Sequence, residues 1–370
     1  MWGVIIMTND SGRGFRNDRY SMTGSDTRIA LIKNWLAQEL QIDFVRFEPA
    51  SADASFRRYF RLWETGGATR IVMDAPPDKE DVGPFLRVAA LLEGCGVHVP
   101  HVDAADGARG MVLLEDLGST PYLTRLRAGA EPGGLYADAL SALQRIQVGG
   151  LEASRLLPPY DRAALEREME LMPSWFCERH LGLRLDDSDR ELLGRSFHFL
   201  TVQALSQPIV FVHRDYHSRN LMVLAERNPG VIDFQDALAG PVGYDLASLL
   251  KDCYIEWPRT RVEQWVSQHR LQLRATAAGA ALSGSGEQEF LRWFDLIGVQ
   301  RHIKVLGIFA RLWYRDGKNG YLPDLPRTLD YVRDTARRYR ELHALRDWIE
   351  RRVVPVFPSA NARALASGRA

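Results

Sequence analysis

The feature that most limits what this chain can fold into is a polar segment caught between short apolar runs. HRDYHSRN, residues 213–220, follows the run 209–212 and leads into 221–224. A third run, 230–234, comes after the turn ERNPG and holds Val231, Ile232, Asp233 and Phe234. Apolar runs of this length, bounded by turn residues, read as short buried strands. Asp215 then lies in a loop just after a buried strand, Asn220 lies where the chain re-enters one, and Asp233 ends the next. Antiparallel pairing of 221–224 with 230–234 brings Asn220 beside Asp233 across a tight turn.

Three oxygen-bearing side chains converge in that arrangement. Oxygen donors suit a hard cation such as Mg2+, which keeps several waters and bridges phosphates. A carboxylate off the metal can take up a hydroxyl proton. A base, two metal ligands and a metal–phosphate bridge are the parts of phosphoryl transfer. The other reading is a loop whose Asp and Asn side chains only form turns. The spacing H-x-D-x-x-x-x-N arises by chance in many chains. Its coupling to an apolar-flanked aspartate 13 residues after Asn220 is what gives it weight.

The surroundings suit an ordinary globular enzyme. The chain has 370 residues, with 46% hydrophobic and 25% charged, which excludes a disordered or fibrous protein. Its 47 basic and 47 acidic side chains cancel, unlike a protein that coats nucleic acid. No apolar run approaches the roughly 18 residues of a membrane span. Cys95, Cys177 and Cys253 form neither a disulfide framework nor a zinc pattern, as in a reduced cytoplasmic protein. No partner among nucleic acids, membranes or proteins is evident.

Periodicity predicts a helix over 26–40, strands over 56–63, 70–73 and 110–114, and a helix over 82–92. These make a small α+β N-lobe, residues 26–117. EDLG, residues 115–118, is a hinge, and 118–358 is a larger, mostly helical C-lobe with helices over 135–146, 162–179 and 187–205. The Ala-, Gly- and Ser-rich stretch 275–286 reads as a surface loop. Residues 1–25 read as a disordered extension and 359–370 as a tail.

At these residues the chain resembles the aminoglycoside-phosphotransferase-like kinases, relatives of the protein kinases whose motif is often H-G-D-x-H-x-x-N followed by I-D-F or I-D-W. His213, Asp215, His217 and Asn220 match, as does the triplet ending in Phe234, and the likeness extends to GYDLA, residues 243–247. It covers roughly residues 28–355. SADASFRRYFRL, IVMDAPPDKED and QRHIKVLGIFARLWYRDGK narrow the resemblance to the anomeric amino-sugar kinases of bacterial cell-wall recycling. That resemblance implies a bilobal protein-kinase-like α+β fold, ATP and Mg2+. The implied acceptor is the C1 hydroxyl of N-acetylmuramate, N-acetylglucosamine or both. A same-fold kinase of choline, homoserine or an aminoglycoside, and a nucleotide-binding regulatory pseudokinase, are the alternatives.

Roles follow residue by residue. Asp215 is the expected general base, Asn220 and Asp233 the Mg2+ ligands, and His213, His217 and Asp245 structural support. The small-residue stretch 49–55, with Ser51, Asp53 and Ser55, is either a phosphate-covering loop or a plain hairpin turn. The strand lysine that kinases pair with a helix glutamate is missing: Met73 stands there, and 82–92 holds no glutamate. Arg57 or Arg58 is the expected substitute, the other reading being an edge arginine in solvent. Glu115, Asp116 and Leu117 are expected at the nucleotide base. On the acceptor side stand Tyr216, Gln235, Asp236, Arg301 and Lys304, the last two from a basic stripe on a helix over 300–315. That stripe is read either as a carboxylate receptor or as a solvated face.

Overall fold

The computed structural model describes residues 4, 5, 27–53 and 56–367. The chain divides into two compact units, residues 1–139 with 219–236 and residues 140–218 with 237–370. The sheet-bearing unit thus runs past the expected boundary at 117 and recruits a distant segment. Residues 359–367, expected as a tail, belong to the helix Phe357–Ser367, which buries Phe357, Ala360 and Ala364.

The first unit is built on an antiparallel sheet of β1 (Val4–Ile5), β2 (Phe44–Asp53), β3 (Arg58–Glu64), β4 (Thr69–Asp74), β5 (Val102–Asp106) and β6 (Met111–Glu115), in the order β1-β2-β3-β4-β6-β5. β1 falls inside the stretch expected to be unstructured; the rest of 1–25 lies outside the described residues. Side chains alternate across a strand. Phe60, Leu62 and Val72 therefore share one face, and they pack on Ile32, Trp35 and Leu36 from the helical stretch 27–39. The helix Gly83–Gly94 begins with Pro84 in its first turn, where a missing N–H is tolerated.

Four shorter strands follow. β7 (Ile209–Val212) pairs with β10 (Leu238–Pro241) in the second unit, and β8 (Leu221–Met222) pairs with β9 (Gly230–Val231) in the first. The second unit is otherwise helical. Its longest helix, Glu287–Asp316, is buried continuously from Phe294 to Ala310 and packs against helices Asp187–Leu205, Gly243–Leu250 and Leu325–Arg338. Gly307 permits one close approach, since a Cβ there would sit 2.3 Å from the Leu171 carbonyl carbon. The stretch 275–286 holds a short helix, Ala277–Ala280, and buries Leu282 and Ser283, so it is not a loose loop.

Asp74, at the end of β4, has no exposed surface. Opposite it in register stands Arg58, which donates from Nε at 2.9 Å and Nη2 at 2.5 Å to one carboxylate oxygen. Arg28, from the first helix, donates Nε to the other oxygen at 3.0 Å. Both arginines keep some solvent access, 24% and 32%, so losing the carboxylate lets them rehydrate in part. Asp74→Ala is accordingly expected to lower stability by about 2 kcal/mol, less than for a fully enclosed pair. The urea midpoint should fall with the slope unchanged; an unshifted midpoint would show that the triad holds nothing together.

Candidate active site

In the first unit, the β8–β9 hairpin is flanked by two of the expected residues, Asn220 and Asp233. Leu221 faces Val231, and the Ile232 N–H donates to the Asn220 carbonyl at 3.0 Å. Asn220 Nδ2 thereby reaches Asp233 Oδ2 at 2.9 Å, as the spacing predicts, although the pairing spans fewer residues than expected. Gln235 Nε2 donates to the other Asp233 oxygen at 2.8 Å. Asp233 holds φ at +68°, a left-handed backbone that costs a non-glycine residue about 1 kcal/mol or more.

The hairpin is fastened to the rest of the first unit. Val231 N–H donates to the His98 carbonyl at 2.7 Å and Val223 N–H to that of Thr120 at 2.8 Å, while the Phe234 ring sits 4.9 Å from Phe85. With its amide nitrogen committed to Asp233, Asn220 presents a carbonyl oxygen as its donor for a cation. One amide oxygen and one carboxylate are hard donors, few in number, which fits Mg2+ shared with phosphates.

In the second unit, the expected base lies on the loop that follows β7. His213 is fully buried, and its N–H donates to Asp245 at 2.6 Å; the Arg214 N–H donates to the same carboxylate at 2.9 Å. Burial pushes the Asp245 carboxyl up to about 7, against the pull of those two N–H groups. Arg214 holds φ at +80°, where the related motif usually has glycine, and its guanidinium pairs with Glu168. Lys304 also reaches Glu168, at 3.2 Å, and donates to the Tyr244 hydroxyl at 3.1 Å.

Asp215 sits among these cations. Burial acts to raise its carboxyl, but His217, Lys304, Arg214 and Arg301 together outweigh it and hold the group below the ordinary aspartate value. The result is a half-buried carboxylate kept ionised, able to accept a proton.

Other expected residues are placed differently. Arg58 is spent on Asp74, on the face of the sheet covered by the first helix, and Arg57 is buried at 6% exposure. Ser51 and Asp53 lie within β2 rather than in a loop, and Ser55 lies outside the described residues. Tyr216 has no exposed surface and packs edge-on against His213 at 5.7 Å.

Arg301 and Lys304 are buried too, at 4% and 7% exposure, because the helix that carries them is enclosed on every side. Lys304 pairs with Glu168 at 3.2 Å, and an Arg301 nitrogen lies 3.7 Å from the Cys253 sulfur. Gln235 supports Asp233, and Asp236 stands half-buried beside it.

The hinge residues are held by partners that no local pattern announces. Arg61 on β3 grips Asp116 with two hydrogen bonds, at 2.7 and 2.9 Å, and donates a third to the Gly118 carbonyl at 2.9 Å. Glu115 lies 3.1 Å from His98 Nε2 and accepts from the His101 N–H at 3.2 Å. Leu117 is buried against Gly230, where a Cβ would come within 2.8 Å of its methyl group. Arg61 was absent from the expected set because its partner lies 55 residues on.

Known proteins place this arrangement. The model of the phosphotransferase enzyme family matches residues 46–282. Over 302 residues the chain is 50% identical to the N-acetylmuramate/N-acetylglucosamine kinase of Pseudomonas aeruginosa, covering 80% of this chain and 86% of that one. The protein of the same name from Pseudomonas putida is 44% identical over 338 residues, 89% of this chain and 97% of its own. An ethanolamine kinase from Plasmodium vivax shares the fold, with a TM-score of 0.57 at 12% identity over 81% of this chain and 85% of its own. With the family's pattern matched over most of its length, the chain belongs to the phosphotransferase enzyme family.

Proposed function

We propose that the chain is a cytoplasmic, ATP- and Mg2+-dependent sugar kinase that phosphorylates the anomeric hydroxyl of N-acetylmuramate, N-acetylglucosamine or both. The relatives at 44–50% identity, all bearing that name, carry the acceptor. The Asn220–Asp233 pair and the ionised Asp215 support the chemistry. Among the described residues no helix is long and apolar enough to cross a membrane.

When bound, Mg2+ would neutralise charge on the transferred phosphates; Asn220 and Asp233 would hold it. Asp215 accepts the proton of the C1 hydroxyl as the sugar oxygen bonds to the γ-phosphorus and the bond to ADP breaks. The transition state is loose, so a weak base suffices. An anomeric hydroxyl is also more acidic than an ordinary alcohol. Arg214, Lys304 and Arg301 keep the base charged, and Asp245 keeps its loop in place. Arg61 fixes the hinge segment for the nucleotide base.

The test is ADP release with ATP and Mg2+ against N-acetylmuramate, N-acetylglucosamine, the alditol of each, choline, homoserine and kanamycin. Turnover is expected with the sugars and not with the alditols, which lack the anomeric hydroxyl. Asp215→Asn should lose about 10^3-fold in kcat. Turnover with a different acceptor would overturn the substrate; ATP binding without any turnover would favour the pseudokinase.

Two further outcomes follow from the charges. Because the Asp215 carboxyl is held below its ordinary value, it stays ionised down to strongly acid pH, and in Asp245→Asn, where the raised carboxyl of the loop anchor no longer titrates, kcat should show no acid limb above about pH 5. A limb near 7 seen only with Asp245 in place would report that anchor, whereas an acid limb near 6 that persists in Asp245→Asn would point to another base. Arg61→Ala releases all three hinge bonds and should raise the KM for ATP about tenfold while sparing the KM for the sugar. Equal changes in both constants would remove the hinge role.

A further inference from the structure

The loop 213–218 is held at both ends from a single helix. Gly243–Leu250 carries Asp245 in its first turn, and that carboxylate takes the His213 and Arg214 N–H groups at the loop's start. Just past the end of the helix stands Asp252, which also has no exposed surface. Its Oδ2 accepts from the Ser218 N–H at 2.9 Å and from the Ser218 hydroxyl at 2.5 Å, at the loop's other end.

Asp252 cannot turn away from Ser218, because its own surroundings are fixed. Its Oδ1 accepts the Tyr254 N–H at 2.9 Å. The Cys253 carbonyl accepts from Arg327 at 2.7 Å, and the Cys253 sulfur lies 3.7 Å from an Arg301 nitrogen. The Tyr254 ring then meets His217 edge-on at 5.2 Å. The segment 252–254 is therefore a rigid abutment for residues 217 and 218.

We propose that Asp252 is a positioning residue for phosphoryl transfer: paired with Ser218, it is the second anchor of the loop that presents Asp215. This rests on the reading of Asp215 as the base. A buried carboxylate with three donors is matched only by an acceptor-only group. An asparagine of the same size must turn an N–H2 group toward either Ser218 or Tyr254, donor against donor. Loosening one end of a short loop displaces the residue at its middle, and small displacements of a reacting group reduce rate steeply.

Asp252→Asn is the first variant. Its kcat should fall between about 10- and 100-fold with both KM values within about twofold of wild type. Ser218→Ala keeps the backbone bond and should lose only about threefold. The double variant should be no slower than Asp252→Asn alone, since the serine hydroxyl acts only through that carboxylate.

A purely structural role predicts a lower Tm with wild-type kcat for the folded protein, and that result overturns the proposal. Should Asp252→Asn not fold, an unchanged kcat in Ser218→Ala overturns it instead. Amide hydrogen exchange of residues 213–218 reads the anchor without any acceptor. Faster exchange in the variants supports it even if the wild type turns over no sugar, which would refute the functional reading alone; unchanged exchange refutes the anchor.

Discussion

A carboxylate taken out of water must be met by donors, and in this protein that requirement organises both units. Asp74 gathers Arg28 and Arg58 from two elements and ties the first helix to the sheet. Asp245 and Asp252 gather backbone N–H groups instead of cations, which fixes the path of a loop rather than the position of a side chain. Asp295 shows the third solution, with Lys251 at 2.8 Å, Arg259 at 2.5 and 2.8 Å and the Tyr339 hydroxyl at 2.8 Å. Asp215 differs from all of these: the cations around it hold it ionised, yet its own loop is secured by neighbours. The buried carboxylates are distinguished from Asp215 by who satisfies them.

The structure places Arg58 and Arg301 elsewhere than their spacing suggests, and for the same reason in both cases. Arg58 and Arg301 were read as charges facing a ligand, because periodicity shows which residues share a face but not what covers that face. Arg58 lies under a helix that begins 31 residues earlier, and Arg301 lies on a helix with no exposed side over its middle. By contrast, Asn220 and Asp233 were readable, since they sit on one hairpin and their meeting depends on local pairing alone. Asp245 came through its family motif. Arg61 and Asp252 were not readable: one acts across 55 residues and the other across 34, and neither spacing leaves a trace in composition. β5 was missed because its Val-Asp-Ala-Ala-Asp run offers little apolar contrast.

The inward turn of Arg301 and Lys304 bears on specificity. A site that dedicated them to an acid side chain on the acceptor would favour N-acetylmuramate strongly over N-acetylglucosamine. Here Lys304 is held by Glu168 and the Tyr244 hydroxyl, and Arg301 stands against Cys253.

The hairpin that holds Asn220 and Asp233 belongs to the first unit, yet 79 residues of the second separate it from residue 139. The sheet-bearing unit is therefore discontinuous along the chain. As the polypeptide leaves the ribosome, the carbonyls of His98 and Thr120 and the surface of Leu117 must wait for their partners until residues 219–236 have been made. A gene cut at the apparent lobe border would yield a fragment lacking its own last layer. Completion of the sheet-bearing unit is thereby tied to synthesis of residues 140–218.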